Sequence, residues 1–219
     1  MSPAGGSAGR PDVFRVGLTG GIATGKSLVA ALFQEEGAFV LDADTLGHAL
    51  MEPGTPAHGE IRAAFGDGVL SSGGRIDRKK LGALVFSDPA SRERLNAILH
   101  PRILSEVEEQ LWEFAHRSPG GIAVVQAALV VEAGARSRFD RIVVTHCDPE
   151  IQARRLRDRD GIPPEEARRR IEAQAPPRAR LDAADHVIDT SGSLDQTRAR
   201  AKEVFNTLRR EWERRRAAP

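Results

Sequence analysis

A single eight-residue segment narrows the folds open to this chain more than any other feature. Gly20-Gly-Ile-Ala-Thr-Gly25-Lys26-Ser27 fits the pattern G-x-x-x-x-G-K-[ST]; an apolar run from Val13 to Thr19 precedes it and a helical pattern from Leu28 to Glu36 follows. Strand, glycine-rich turn and helix in that order form a phosphate cradle. Gly20, Gly21 and Gly25 let backbone N–H groups curl around an anion, and the following helix N-terminus adds positive potential. Lys26 is then placed to bridge the β- and γ-phosphates of a nucleotide, and the Ser27 hydroxyl to bind Mg²⁺. A chance glycine-rich turn would lack this flanking order.

Further strand-like runs at Ala38 to Asp42, Ile122 to Gln126, Arg141 to Thr145 and His186 to Asp189 alternate with helical stretches, which predicts a parallel sheet. The interval between Asp42 and Ile122 holds no convincing strand. It carries instead a helical pattern from Asp88 to Arg117, with Leu95, Ile98, Leu99, Ile103, Leu104, Val107 and Leu111 at the apolar positions, so a mostly helical insertion is expected. The segment from Glu150 to Arg180 is polar and arginine-rich, and Pro163-Pro164 and Pro176-Pro177 bracket a helix from Glu165 to Ala175; it reads as a mobile flap. From Leu194 to Arg216, Leu194, Val204, Phe205, Leu208 and Trp212 share one stripe of a closing helix. The arginines at its end suit a helix C-terminus, and the one aromatic among them, Trp212, belongs to the inward stripe rather than to a nucleic-acid surface.

A phosphate loop serves kinases, GTPase switches and motor ATPases alike. A guanine-specific N-K-x-D loop is excluded, because the only asparagines are Asn96 and Asn206 and neither precedes a lysine. Asp158-Arg-Asp-Gly161 has the letters of a switch motif but lies inside the arginine-rich segment. Asp42-Ala-Asp44 closes the second strand, and ligands of open parallel sheets bind outside the carboxyl ends of strands. One of the two carboxylates could accept or orient the proton of an acceptor hydroxyl beside the γ-phosphate while the other orders Mg²⁺-bound water. For Asp42, capping of a helix that starts near Thr45 is an equally open reading.

In chain order, Leu18-Thr-Gly-Gly-Ile, the phosphate loop, Val40-Leu-Asp-Ala-Asp44, Glu52-Pro-Gly-Thr-Pro56, Ile76-Asp-Arg78, His100-Pro101, Leu129-Val-Val-Glu132, Gln174-Ala and Val187-Ile-Asp-Thr-Ser-Gly192 resemble the dephospho-coenzyme A kinase family. The resemblance runs over residues 13 to 210 and implies an α/β fold: a P-loop NTPase three-layer core with parallel sheet, a helical acceptor-binding insertion and an arginine-bearing lid. The nucleotide-binding core would comprise 13–49, 118–149 and 181–219, the helical coenzyme A precursor-binding domain 50–117, and the lid 150–180. The implied reaction is ATP-dependent phosphorylation of the ribose 3′-hydroxyl of dephospho-coenzyme A, with Mg²⁺. Ala23, Thr24, Gly25, Lys26, Ser27 and Leu28 would then wrap ATP, and Asp44 would be the general base. Arg78 and His100 would build or support the acceptor pocket, a helix-packing role for His100 remaining open. Arg155 and Arg159 would neutralise charge on the transferring phosphoryl group. The chain departs from the family pattern at Ala23, Leu28, His48, Gln126, Ala128 and Thr190. Rivals to this reading are a nucleoside or nucleotide kinase with another acceptor and a nucleotide-dependent binding module.

Composition is consistent with such a catalyst. The 32 basic and 31 acidic residues leave a net charge of +1, so no global field draws nucleic acid or an anionic membrane. The most apolar stretch, Ile122 to Val131, is interrupted by Gln126 and falls well short of the roughly 20 residues of a membrane span. Residues 1–12 read as a disordered, Gly/Ala/Ser/Pro-rich extension without a secretory core. The lone Cys147 follows Val143 and Val144 and reads as a small buried side chain in a reducing cytoplasm.

Overall fold

The structure is a computed structural model and describes residues 11–127 and 135–217. Ala128, the Leu129 to Glu132 motif and residues 1–10 lie outside the described residues. The chain falls into two compact units, one of residues 1–41 with 111–219 and one of residues 42–110.

The first unit is built on a parallel five-stranded sheet. Its strands are β1 (Val13–Gly20), β2 (Phe39–Asp42), β3 (Gly121–Gln126), β4 (Arg141–His146) and β5 (His186–Asp189), in the order β2-β3-β1-β4-β5. Central β1 pairs in parallel with β3, Val13 opposite Gly121, and with β4, Val16 opposite Arg141. The two neighbours of β1 are later strands reached by crossovers on opposite sides, so the carboxyl end of β1 is a topological switch point. All eight β1 residues are buried, Arg15 among them, which is why the strand reads as a run broken only by that arginine rather than as an alternating one.

Helices cover both faces. On one, Phe14, Val16 and Leu18 of β1 and Val143 of β4 meet Val29 and Phe33 of α1 (Lys26–Glu35) and Phe205 and Leu208 of α9 (Leu194–Ala217). On the other, Ile142 and Val144 of β4 meet Leu181 of α8 (Pro177–Asp182) and the neighbouring Ala184. The period of two along β4 thus sends alternate residues to opposite layers. Trp212 of α9 stacks on Phe14 with ring centroids 5.4 Å apart and donates from Nε1 to Gly120 O at 2.7 Å. The expected stripe of α9 needs one correction: Leu194 is 55% exposed. It is the first residue of the helix, and burial begins only at Thr197 and continues through Ala201. Two residues of the expected extension pack on the sheet: Pro11 is buried and the Asp12 carbonyl accepts the Gly120 N–H at 2.8 Å.

The arginine-rich stretch forms α6 (Pro149–Asp160), α7 (Pro164–Glu172) and α8. Asp148 caps α6 by accepting from Glu150 N and Ile151 N, and Gly161 ends it in the left-handed conformation, φ 65°. Asp158 to Gly161 is therefore a helix end.

The second unit packs α2 (Ala43–Leu50), α3 (Pro56–Phe65), α4 (Arg78–Ser87) and the earlier part of α5 (Pro89–Arg117). Ile61, Val69, Leu81 and Leu99 form its core, with Leu95, Ile98 and Ile103 against them. Thr55 and Asp77 cap α3 and α4. Asp88 does the same for α5, accepting from Ala90 N and Ser91 N; the Ser91 hydroxyl first among its partners holds this carboxyl below its usual range. Pro101 sits inside α5 and takes a donor from the ladder. The Arg102 side chain donates to Ile98 O at 2.6 Å, whereas the carbonyl whose usual α-helical donor Pro101 lacks is that of Ala97.

Candidate active site

The loop after β1 has the backbone its sequence demands. A Cβ at Gly20 would lie 2.2 Å from Thr145 Oγ1 and 2.6 Å from Thr145 O, so only glycine fits between loop and β4. Gly25 takes φ 84° and ψ 17° at the N-cap of α1, a conformation that costs other residues about 1–2 kcal/mol. Ala23 adopts φ 57° and is the one non-glycine with positive φ among the described residues. A glycine would hold this conformation without the Cβ penalty. Ala23→Gly is expected to raise the unfolding free energy by about 1 kcal/mol in a urea titration, strain relief exceeding the entropy glycine adds to the unfolded chain. A lower midpoint at unchanged slope would refute the strain.

Around the loop, Thr24 Oγ1 lies 2.8 Å from both Gly21 O and Thr145 Oγ1. Lys26 Nζ donates to Gly20 O at 2.8 Å and Gly21 O at 3.1 Å, which holds the ammonium over the loop. The Ile22 N–H donates to Gln174 Oε1 at 2.8 Å, and the Ile22 carbonyl accepts from Gln152 Nε2 at 2.7 Å. The N–H groups of Ala23, Gly25 and Ser27 find no partner among the described residues. Those of Gly25 and Ser27 sit at the start of α1, where orphan donors and the helix dipole favour an anion. Ser27 and Leu28 are exposed.

Thr190, just past β5, is fully buried; its Oγ1 lies 3.0 Å from Thr24 O and accepts from Arg155 Nη1 at 3.1 Å. Arg155 Nη2 also donates to Thr190 O at 2.7 Å, so this arginine of α6 is joined to the loop through one threonine. Arg159 is instead exposed and paired with Asp160 at 2.7 Å, which holds that carboxyl below its usual range. Cys147 is buried, and burial pushes its thiol up, away from nucleophilic use.

In the helical unit, Asp42 is the N-cap of α2: its Oδ1 accepts from Asp44 N at 2.9 Å and Thr45 N at 3.1 Å. The helix therefore starts at Ala43, two residues before the Thr45 expected from sequence, and Asp44 stands exposed in its first turn. Arg78 opens α4 and lines a cleft of about 400 Å³ with His48, Glu52, Arg75 and Asp77. Arg75 is paired with Glu52 at 2.7 Å, whereas Arg78 makes no hydrogen bond or ion pair with the described residues. His100 is half-buried on α5 and is not part of this lining.

The first unit thus gathers Gly20 to Ser27 with Arg155, and the helical unit gathers Arg78 with His48; Arg159 and His100 stand apart from these groups. Sequence reasoning passed over Gln152 and Thr145. A neutral residue buried within a helix as arginine-rich as α6 was the available signal for Gln152.

A family model described as dephospho-CoA kinase matches residues 14–196. A dephospho-CoA kinase of Leifsonia xyli subsp. xyli is 46% identical over 194 residues, covering 89% of this chain and 98% of that protein. Another, of Geobacter sulfurreducens, is 44% identical over 190 residues, 87% of this chain and 96% of its own length. Among solved structures, TT1252 from Thermus thermophilus is 32% identical and superposes with a TM-score of 0.78, covering 89% of this chain and 97% of that one.

Proposed function

The chain belongs to the dephospho-CoA kinase family, and we propose that Asp44 acts in it as the general base on the acceptor hydroxyl, with Lys26 and the loop amides holding the ATP phosphates. The activity is an ATP-dependent phosphotransfer to the ribose 3′-hydroxyl of dephospho-CoA, giving CoA and ADP. The observation that supports the nucleotide end is the loop itself: Lys26 over the Gly20 and Gly21 carbonyls, and unpartnered N–H groups at Ala23, Gly25 and Ser27.

Mg²⁺ fits the donor set. Ser27 is exposed in the first turn of α1 and makes no hydrogen bond with the described residues, so its hydroxyl would hold the ion, with Asp42 ordering water on it. An ion held in this way would be carried largely on nucleotide phosphates and water. Its chemistry there would be to neutralise charge on the β- and γ-phosphate oxygens. Arg155 and Arg159 would serve the transferring phosphoryl group by exchanging Thr190 and Asp160 for phosphate oxygens. Arg78, unpartnered at the cleft of the helical unit, would bind a phosphate of the acceptor, and His100 would support the helix behind it. The proposed setting is the cytoplasm; no helix among the described residues is long and apolar enough to cross a membrane.

ADP release measured with and without dephospho-CoA tests the reading. Release is expected to depend on dephospho-CoA. Equal release in its absence would identify an ATPase, and release driven instead by a nucleoside or nucleotide would identify a kinase of another acceptor.

A further inference from the structure

The 150–180 stretch reads from sequence as a flap, yet part of it is built into the floor of the phosphate loop. Gln152 and Arg180 are only 7% and 6% exposed, and both line a cavity of about 20 Å³ that Gly21 and Thr24 also border. Gln152 and Gln174 grip the two polar atoms of Ile22, as described above.

These two contacts act on consecutive peptide planes. A trans peptide points its carbonyl and its N–H in opposite directions. Gln174 fixes the Gly21–Ile22 plane by its N–H, which turns Gly21 O toward Thr24 Oγ1 and Lys26 Nζ, at 2.8 and 3.1 Å. Gln152 fixes the Ile22–Ala23 plane by its carbonyl, which turns the Ala23 N–H away from α6. That N–H has no partner among the described residues, and the residue carrying it is the one held at φ 57°.

We propose that Gln152 and Gln174 are positioning residues for the nucleotide. Together they hold the Ala23 N–H toward the phosphates and make the geometry of the loop depend on the packing of the 150–180 segment. The inference rests on the loop being the ATP site, as the preceding subsection has it.

The test uses the full-length enzyme with Gln152→Met and Gln174→Met, which keep length and lose the hydrogen bond. ATP affinity by calorimetry is expected to fall about tenfold in each, as for loss of one oriented donor to a charged group. The KM for dephospho-CoA should be unchanged and the nucleotide-free Tm within a few degrees of wild type. The double variant should bind ATP little worse than the weaker single variant, because either loss frees the same pair of peptides. Gln152→Glu and Gln174→Glu add the same charge beside the loop but differ in hydrogen-bond polarity. A carboxylate still accepts from the Ile22 N–H and cannot donate to the Ile22 carbonyl, so Gln174→Glu should retain more ATP affinity than Gln152→Glu. Wild-type ATP affinity in both Met variants, equal affinities of the two Glu variants, or a parallel rise of both KM values with a fall in Tm would overturn the proposal. A wild-type enzyme that fails to bind ATP would instead overturn the reading of the loop.

Discussion

Asp44→Asn is expected to slow phosphoryl transfer at least about 10²-fold at saturating substrates while the melting temperature stays nearly unchanged. The two halves of this expectation come from different residues. The cap of α2 is Asp42, whose Oδ1 accepts both first-turn N–H groups, so a substitution at Asp44 leaves the cap in place. An acidic side chain in a helix first turn contributes only about 0.3–1 kcal/mol through the dipole. Asparagine keeps the shape of aspartate and cannot take the proton of a ribose hydroxyl, a service worth about 10²- to 10⁴-fold. Because the transition state is loose, deprotonation comes late and the loss falls toward the lower end. Purified Asp44→Asn that retains more than roughly a tenth of wild-type kcat would sink the assignment and make Asp42 the next candidate.

Lys26→Ala is expected to lower kcat about 10²- to 10³-fold, the size typical of removing one preorganised charge-stabilising donor. The ammonium already sits 2.8 Å from Gly20 O and 3.1 Å from Gly21 O, so it lies over the cradle without needing to be recruited. Lys26→Arg should not restore the rate, since a planar fork cannot replace a compact, three-donor point charge between two carbonyls. Single-turnover kinetics with saturating ATP separate the chemical step from binding. Full single-turnover rate in Lys26→Ala, with only ATP affinity reduced, would reassign this lysine to ground-state binding.

How far sequence carried the description depended on whether a feature was local. The phosphate loop was legible because strand, glycines and helix start are contiguous, and the apolar character of β1, interrupted only at Arg15, followed from burial on both faces. The start of α2 was misplaced by two residues because Asp42 belongs at once to the strand and to the cap. Leu194 was misassigned because an apolar stripe says which side of a helix is inward, not where the neighbouring layer begins. Gln152 was invisible for a different reason: the carbonyl it holds is 130 positions away in the chain. Thr190 stood out in the sequence only as a departure from the family pattern; its bond to Thr24, 166 positions away, is made by the fold.

The placement of Trp212 in the core beside Phe14 makes the enzyme's own fluorescence selective. The chain has two tryptophans and no tyrosine, and both Trp112 and Trp212 fall in the unit of residues 1–41 with 111–219. Residues 42–110 contain neither chromophore. Tryptophan emission therefore follows chiefly the unfolding of the sheet unit, with Trp112 just inside it on the helix α5 that runs into both, while far-ultraviolet circular dichroism sums the helices of both. Coincident melts by the two probes would mean a single cooperative transition, and a dichroism change that precedes the emission change would be the optical signature of the helical unit opening by itself.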